Sequence, residues 1–219
     1  MTAQEHHIRV SKHARYYTLG PTTQASDLWL VCHGYAQLAG KFIEQFQSIA
    51  AHSRLIVAPE ALHRFYLDPP PAPASQRRVG ATWMTREDRE TDIADYVDYL
   101  DTLAGELLSR FPSARLRVLG FSQGTATVLR WAVRATRAPH HLIIWAGEVP
   151  TDVDWKMGAR KLAQTRIDVV RGVRDESIPQ DLLDRNLRTF AEVGLSYELH
   201  HFPGRHELDA DTLIRLANH

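Results

Sequence analysis

Two rhythms of apolar residues divide the chain. Short runs with a period of two, or apolar throughout, alternate with longer stretches whose apolar positions recur every three or four residues. The first kind includes "HHIRVS" (6–11) and "ARYYTL" (14–19), which read as a pair of short strands. "DLWLVC" (27–32), "RLIVAP" (54–59), "RLRVLG" (115–120), "HLIIWAG" (141–147), "RIDVVRG" (166–172) and "LSYELHHF" (195–202) follow, several of them apolar enough for burial on both faces. The second kind predicts helices over 41–52, 86–111, 124–136, 179–193 and 206–218. In the longest, Ile93, Tyr96, Val97, Leu100, Leu103 and Leu107 form one stripe, and acidic residues fill the other faces. Pro112 stops it, and Gly194 ends the helix that opens at Pro179. Strands separated by helices of ten or more residues require crossover connections, so the expected architecture is α/β: three layers, a mostly parallel sheet with helices on both faces. A single domain over 1–219 is expected, interrupted by a proline-rich surface excursion at about 60–89 that centres on "DPPPAPASQ".

Composition narrows the class. The chain has 219 residues, 44% of them hydrophobic, enough for a substantial core. Its 26 basic residues balance 26 acidic ones, so no net field draws it to nucleic acid or to an anionic membrane. No apolar run approaches the roughly 18 residues of a membrane span, and "MTAQEHHIRV" lacks the apolar centre of a secretion signal; a cytoplasmic location is expected. The one cysteine, Cys32, lies inside "LWLVC" and reads as a buried, inert thiol. The His-His pairs at 6–7, 140–141 and 200–201 point to opposite faces wherever they lie in strands, so no metal site is expected from them. The arginines at 130 and 134 read as solvated surface.

One stretch carries chemistry. In "RLRVLGFSQGTATVLRWAV", Ser122 stands between Gly120 and Gly124 where a strand gives way to a helix. That is the context of a nucleophile elbow, a strained turn that lifts the serine hydroxyl above the sheet edge. Glycine at both flanks removes the Cβ atoms that would obstruct the turn. A serine hydroxyl needs a base and an orienting acid, which in this type of fold follow in the order serine, acid, histidine at the carboxyl ends of later strands. Asp175, in "GVRDESIP" after the strand at 166–172, is the first acid so placed, with Glu176 the competitor. His206, in "FPGRHELD", falls just beyond the last strand, whereas His200 and His201 lie within it and read as structural. The backbone amides of Gln123 and Tyr35, with Ala36 second to Tyr35, are the expected oxyanion donors. Phe65, Tyr66, Trp83 and Met84, flanking the excursion, line a substrate slot or else bury the excursion against the domain.

Taken in order, "HGY", "GFSQG", "GVRDESIP" and "FPGRHEL" resemble the α/β-hydrolase fold, and within it the phospholipase/carboxylesterase family of small, cap-less serine esterases. The resemblance spans residues 33–207 and implies a serine hydrolase that cleaves small acyl esters through an acyl-enzyme, with no cofactor. It leaves lysophospholipase and acyl-protein thioesterase activity as alternatives. "HGYAQLAG" lacks the Gly-Asp pair of the thioesterase branch, which favours a plain carboxylesterase. The different-class alternative is a non-catalytic binding module on a hydrolase scaffold.

Overall fold

The computed structural model describes residues 2–71 and 73–219. Its main sheet has seven strands in the order β1-β3-β2-β6-β7-β8-β9: β1 (Tyr16–Leu19), β2 (Asp27–Cys32), β3 (Arg54–Pro59), β6 (Arg115–Phe121), β7 (His141–Trp145), β8 (Arg166–Gly172) and β9 (Glu198–Phe202). All neighbours run parallel except β1, which pairs with β3 antiparallel at the edge. The run "DLWLVC" is buried at every position, as a central strand covered on both faces must be. Six helices complete the layers: α1 (Ala39–Phe42), α2 (Arg89–Arg110), α3 (Gln123–Ala132), α4 (Trp155–Lys161), α5 (Gln180–Glu192) and α6 (Ala210–Ala217). The predicted stripe of α2 is buried at all six positions. No helix among the described residues is long and apolar enough to cross a membrane.

Three expectations need correction. Residues 6–11 form no strand and pair with no sheet edge: Ile8 and Val10 are 86% and 77% exposed. That segment is instead tied to α2 through His7–Asp88 at 3.0 Å and Arg9–Asp98 at 3.4 Å. The helix expected over 41–52 is one α turn, α1, continued by a 3-10 segment from Ile43 to Ile49. The tighter winding still buries Ile43, Phe46 and Ile49 against the core. The excursion at 60–89 is not all loop. β4 (His63–Tyr66) and β5 (Val79–Thr82) pair antiparallel and carry the proline-rich tip between them. Helix α4 was not expected; Asp154 caps it by accepting from the Lys156 and Met157 amides.

The amino-terminal halves of the central strands hold a buried ionic layer. Arg117 (2% exposed) donates to Asp27 Oδ1 at 3.1 Å and, through Nη1, to His141 Nδ1 at 3.2 Å. A guanidinium can only donate, so His141 carries its proton on Nε2 and donates it to Asp168. Burial and the facing Arg117 both hold the His141 pKa below its usual value. Asp168 is fully buried and also accepts from His200 Nε2 at 2.8 Å and Arg166 Nε at 2.9 Å. Burial pushes this carboxyl up, but these donors prevail and hold its pKa at about 2. His200 is thus structural, as expected.

Replacing Asp168 with alanine strands His141 in the interior and takes a partner from the less buried His200 and Arg166, and should cost about 3–5 kcal/mol at neutral pH, read from urea unfolding. Folding lowers this carboxyl's pKa, so its stabilisation is in place above the unfolded value near ~4 and is lost as the pH falls towards about 2. The difference between wild type and variant should therefore shrink across that window.

Candidate active site

The parallel register sets the site. Cys32 pairs with Gly120 across β2 and β6, so the loop after β2 and the turn after β6 leave the sheet side by side. At that turn Ser122 adopts φ 53° and ψ −119°, a left-handed conformation strained for a residue with a side chain. Its amide donates to Trp145 O at 2.9 Å, its carbonyl accepts from the Thr125 amide, and Thr125 Oγ1 donates to Gly120 O at 2.8 Å. These buried bonds hold the strain in place. The two glycines are obligatory for close approach. A Cβ on Gly120 would sit 2.4 Å from Gly124 O, and one on Gly124 would sit 2.2 Å from Cys32 O.

Residues from three chain regions meet here. His206 Nε2 lies 2.9 Å from Ser122 Oγ, and His206 Nδ1 lies 2.9 Å from Asp175 Oδ2. The other carboxylate oxygen of Asp175, itself 2% exposed, accepts from the amides of Ser177 (2.8 Å) and Ile178 (3.3 Å). Both oxygens are thereby committed. Asp175 therefore takes the place expected of the acid, and the competitor Glu176 is exposed at the surface. Phe121 packs against the imidazole at 5.0 Å between centroids. The histidine approaches from the loop after β9, whose fold-back brings Arg174 N to Gly204 O at 2.9 Å.

The loop after β2 is held by its own histidine. His33 is fully buried; Nε2 accepts from the Ala61 amide at 3.1 Å, so Nδ1 carries the proton and donates to Gly34 O at 2.8 Å. Burial holds the His33 pKa low, which keeps the ring neutral. Of the two amides considered after β2, that of Ala36 donates to Ala81 O at 2.9 Å and is occupied. Among the described residues no hydrogen bond engages the Tyr35 amide. Gln123 is the first residue of α3, where an amide has no carbonyl partner within the helix. Its side chain does something the sequence did not signal. The Gln123 amide group bonds to Thr82 Oγ1, Trp83 N and Met84 O, and so pins the end of the β4–β5 hairpin beside the serine.

A cleft of about 400 Å³ opens at Ser122 and His206 and runs along α3. Of the four aromatic and sulfur side chains expected to line it, only Met84 does so. Trp83 is 1% exposed, donates from Nε1 to His33 O at 2.9 Å and stacks on the His33 ring, which is packing. Phe65 lies against Tyr35, and Tyr66 is half exposed beneath Arg77. A second correction concerns Arg130. It is 5% exposed rather than solvated, lines the cleft, and pairs with Asp152 at 3.0 Å. Ser122, Ala126 and Arg130 are spaced by four, the one-face signal of a helix, and that spacing could have placed Arg130 in the site. Arg89, Glu148, Ile178 and Leu182 also line the cleft without having been expected there.

Two groups of metal-ligand type occur among the described residues, and no member of either lines the cleft. Glu5, His7 and Asp88 are exposed; Asp168, Glu198 and His200 belong to the ionic layer, where Asp168 is already committed to its donors.

Residues 18–219 match the family model described as Phospholipase/Carboxylesterase. No curated protein matches the chain by sequence. Among solved structures, the carboxylesterase from Mesorhizobium loti superposes with a TM-score of 0.71 at 15% identity, covering 94% of this chain and 93% of that one. Esterase PE8 gives 0.67 at 19% identity, with 94% and 96% covered. Zea mays acyl-protein thioesterase 2 gives 0.66 at 14% identity, with 94% and 97% covered. At such identities the likeness is one of fold, whereas the family match spans nearly the whole sequence: the chain belongs to the phospholipase/carboxylesterase family of α/β hydrolases.

Proposed function

We propose that this protein is a serine esterase that cleaves carboxylic esters of small acyl groups, with Ser122 as nucleophile, His206 as base and Asp175 as the orienting acid. The observation that carries the proposal is the unbroken relay: Nε2 of His206 at 2.9 Å from the Ser122 hydroxyl, and Nδ1 at 2.9 Å from a buried carboxylate. Asp175 accepts from Nδ1–H and so fixes the tautomer that leaves a lone pair on Nε2 facing the serine. As Oγ attacks the ester carbonyl, its proton passes to Nε2, and the imidazolium formed is stabilised by Asp175 without surrendering the proton to it. The carbonyl oxygen becomes an oxyanion held by the amides of Tyr35 and Gln123, a donor pair worth about 10²–10³ in rate for each member. Collapse expels the alcohol, which takes the proton from Nε2, and leaves an acyl-serine. Water then adds with His206 again as base and releases the acid. Every group in the cycle is protein, and no cofactor enters.

The strained serine argues against a mere binding module. Its φ of 53°, braced by buried hydrogen bonds and directly facing His206, is the combination a nucleophile needs. The test is covalent capture. A fluorophosphonate should label the protein stoichiometrically, and peptide mass spectrometry should locate the adduct on Ser122. Absence of labelling, or an adduct elsewhere, would remove the proposal.

A further inference from the structure

The cleft beside Ser122 has a charged far end that ester hydrolysis itself does not require. α3 forms its floor, with Ser122, Ala126 and Arg130 on one face. Eight residues at 1.5 Å each separate the serine from Arg130 by about 12 Å along the axis. Helical side chains lean towards the amino terminus, so the Arg130 guanidinium returns part of that distance. Arg89, at the start of α2, reaches the same place.

The partners of these two side chains are unevenly matched. One carboxylate, Asp152, serves both: it accepts from Arg89 Nη2 at 2.7 Å and from Arg130 Nε at 3.0 Å. Glu148, an acid that lines the cleft, is exposed and already paired with Arg185 at 2.6 Å. One positive charge is therefore left over. The Nη1 groups of both arginines converge on the sulfur of Met84, at 3.5 Å for Arg89 and 3.7 Å for Arg130. Arg130 Nη1 has one further acceptor, the Tyr96 hydroxyl at 3.3 Å. A thioether is a weak acceptor, so two charged donors in the wall of a substrate cleft are met by a poor partner. A carboxylate in that position would take two charge-assisted hydrogen bonds and cancel the excess charge.

We propose that Arg89 and Arg130 bind a carboxylate on the ester substrate, so that the preferred substrates are short esters bearing an acidic group a few methylenes from the scissile bond. The proposal rests on the esterase reading and names its substrate class. The carboxylate belongs to the acyl part or to the alcohol part, and the same recognition serves either.

The test compares matched esters on the intact protein. Mono-p-nitrophenyl adipate carries the carboxylate on the acyl side, and the hexanoyl ester of 4-hydroxybutyrate carries it on the alcohol side. The primary amide of each is its neutral match. At low salt, kcat/KM should favour one acid over its amide by about tenfold or more. Arg89→Gln should bring that ratio towards one. Asp152→Asn, which removes the negative charge the two guanidiniums share, should raise it. A ratio of two substrates on one preparation is independent of the fraction folded, so neither variant's stability obscures the result. A ratio near one for both pairs, with Ser122-dependent turnover of the amides, overturns the carboxylate site and spares the esterase. A preference for an acid that neither variant changes also overturns it. Failure to hydrolyse any of the four compounds overturns the esterase reading and this proposal with it.

Discussion

Replacing Ser122 with alanine should lower kcat/KM for p-nitrophenyl acyl esters by about 10⁶ with little change in stability. The substitution keeps the Cβ and removes only the hydroxyl, so the backbone at φ 53° and the buried bonds from the Thr125 hydroxyl to Gly120 O and Trp145 O are undisturbed. What disappears is the hydroxyl oxygen that lies 2.9 Å from His206 Nε2. The cleft and the proposed oxyanion donors remain, and they alone should sustain a residual rate about 10³–10⁴ above water. Activity must be measured on protein whose urea transition matches wild type. Turnover above about one per cent on such protein would place the nucleophile elsewhere, because no oxyanion contribution accounts for so much.

Much of this arrangement was legible in the chain because local chemistry and long-range geometry agree there. Gly120 and Gly124 mark the elbow since no other residue clears the neighbouring carbonyls, and strand order points to His206 and to Asp175 with Glu176 as its competitor. The parts that were not legible depend on partners distant in sequence. Arg130 reads as a surface cation until Asp152, 22 residues on, and Tyr96, on α2, are brought beside it. Trp83 reads equally as a substrate wall or as packing under the excursion until the carbonyl of His33 takes its indole N–H. Ile8 and Val10 alternate as a strand would, but alternation alone does not pair a segment with a sheet, and both side chains stay exposed. The β4–β5 hairpin was hidden for the opposite reason. Its strands of four residues are too short to show a period, β4 mostly exposed and β5 mostly buried. The Asp168 layer could not be assembled from sequence, since its members come from five strands and each alone looks like an ordinary strand-end polar residue.

Exchanging Asp175 for asparagine should cost about 10⁴ in kcat/KM while leaving the fold in place. In the wild type, Oδ1 accepts from the Ser177 and Ile178 amides while Oδ2 faces His206 Nδ1. An asparagine has one accepting oxygen and one donating nitrogen, and two backbone amides that can only donate require the oxygen. The side-chain NH₂ is therefore turned towards the imidazole. Nδ1 must then accept, and the ring proton moves to Nε2, where it points at the serine hydroxyl instead of receiving its proton. The base is present, in place and unable to act. This differs from Asp175→Ala, which abandons the two amides and the histidine together and should lower stability as well as rate. The diagnostic measurement is the pH dependence of the asparagine variant. Residual activity should rise steeply towards high pH as hydroxide replaces the missing base, in place of the plateau that a correctly oriented imidazole provides. A variant that keeps the wild-type profile at a tenth of the rate or better would mean that Asp175 holds the loop and does not set the tautomer.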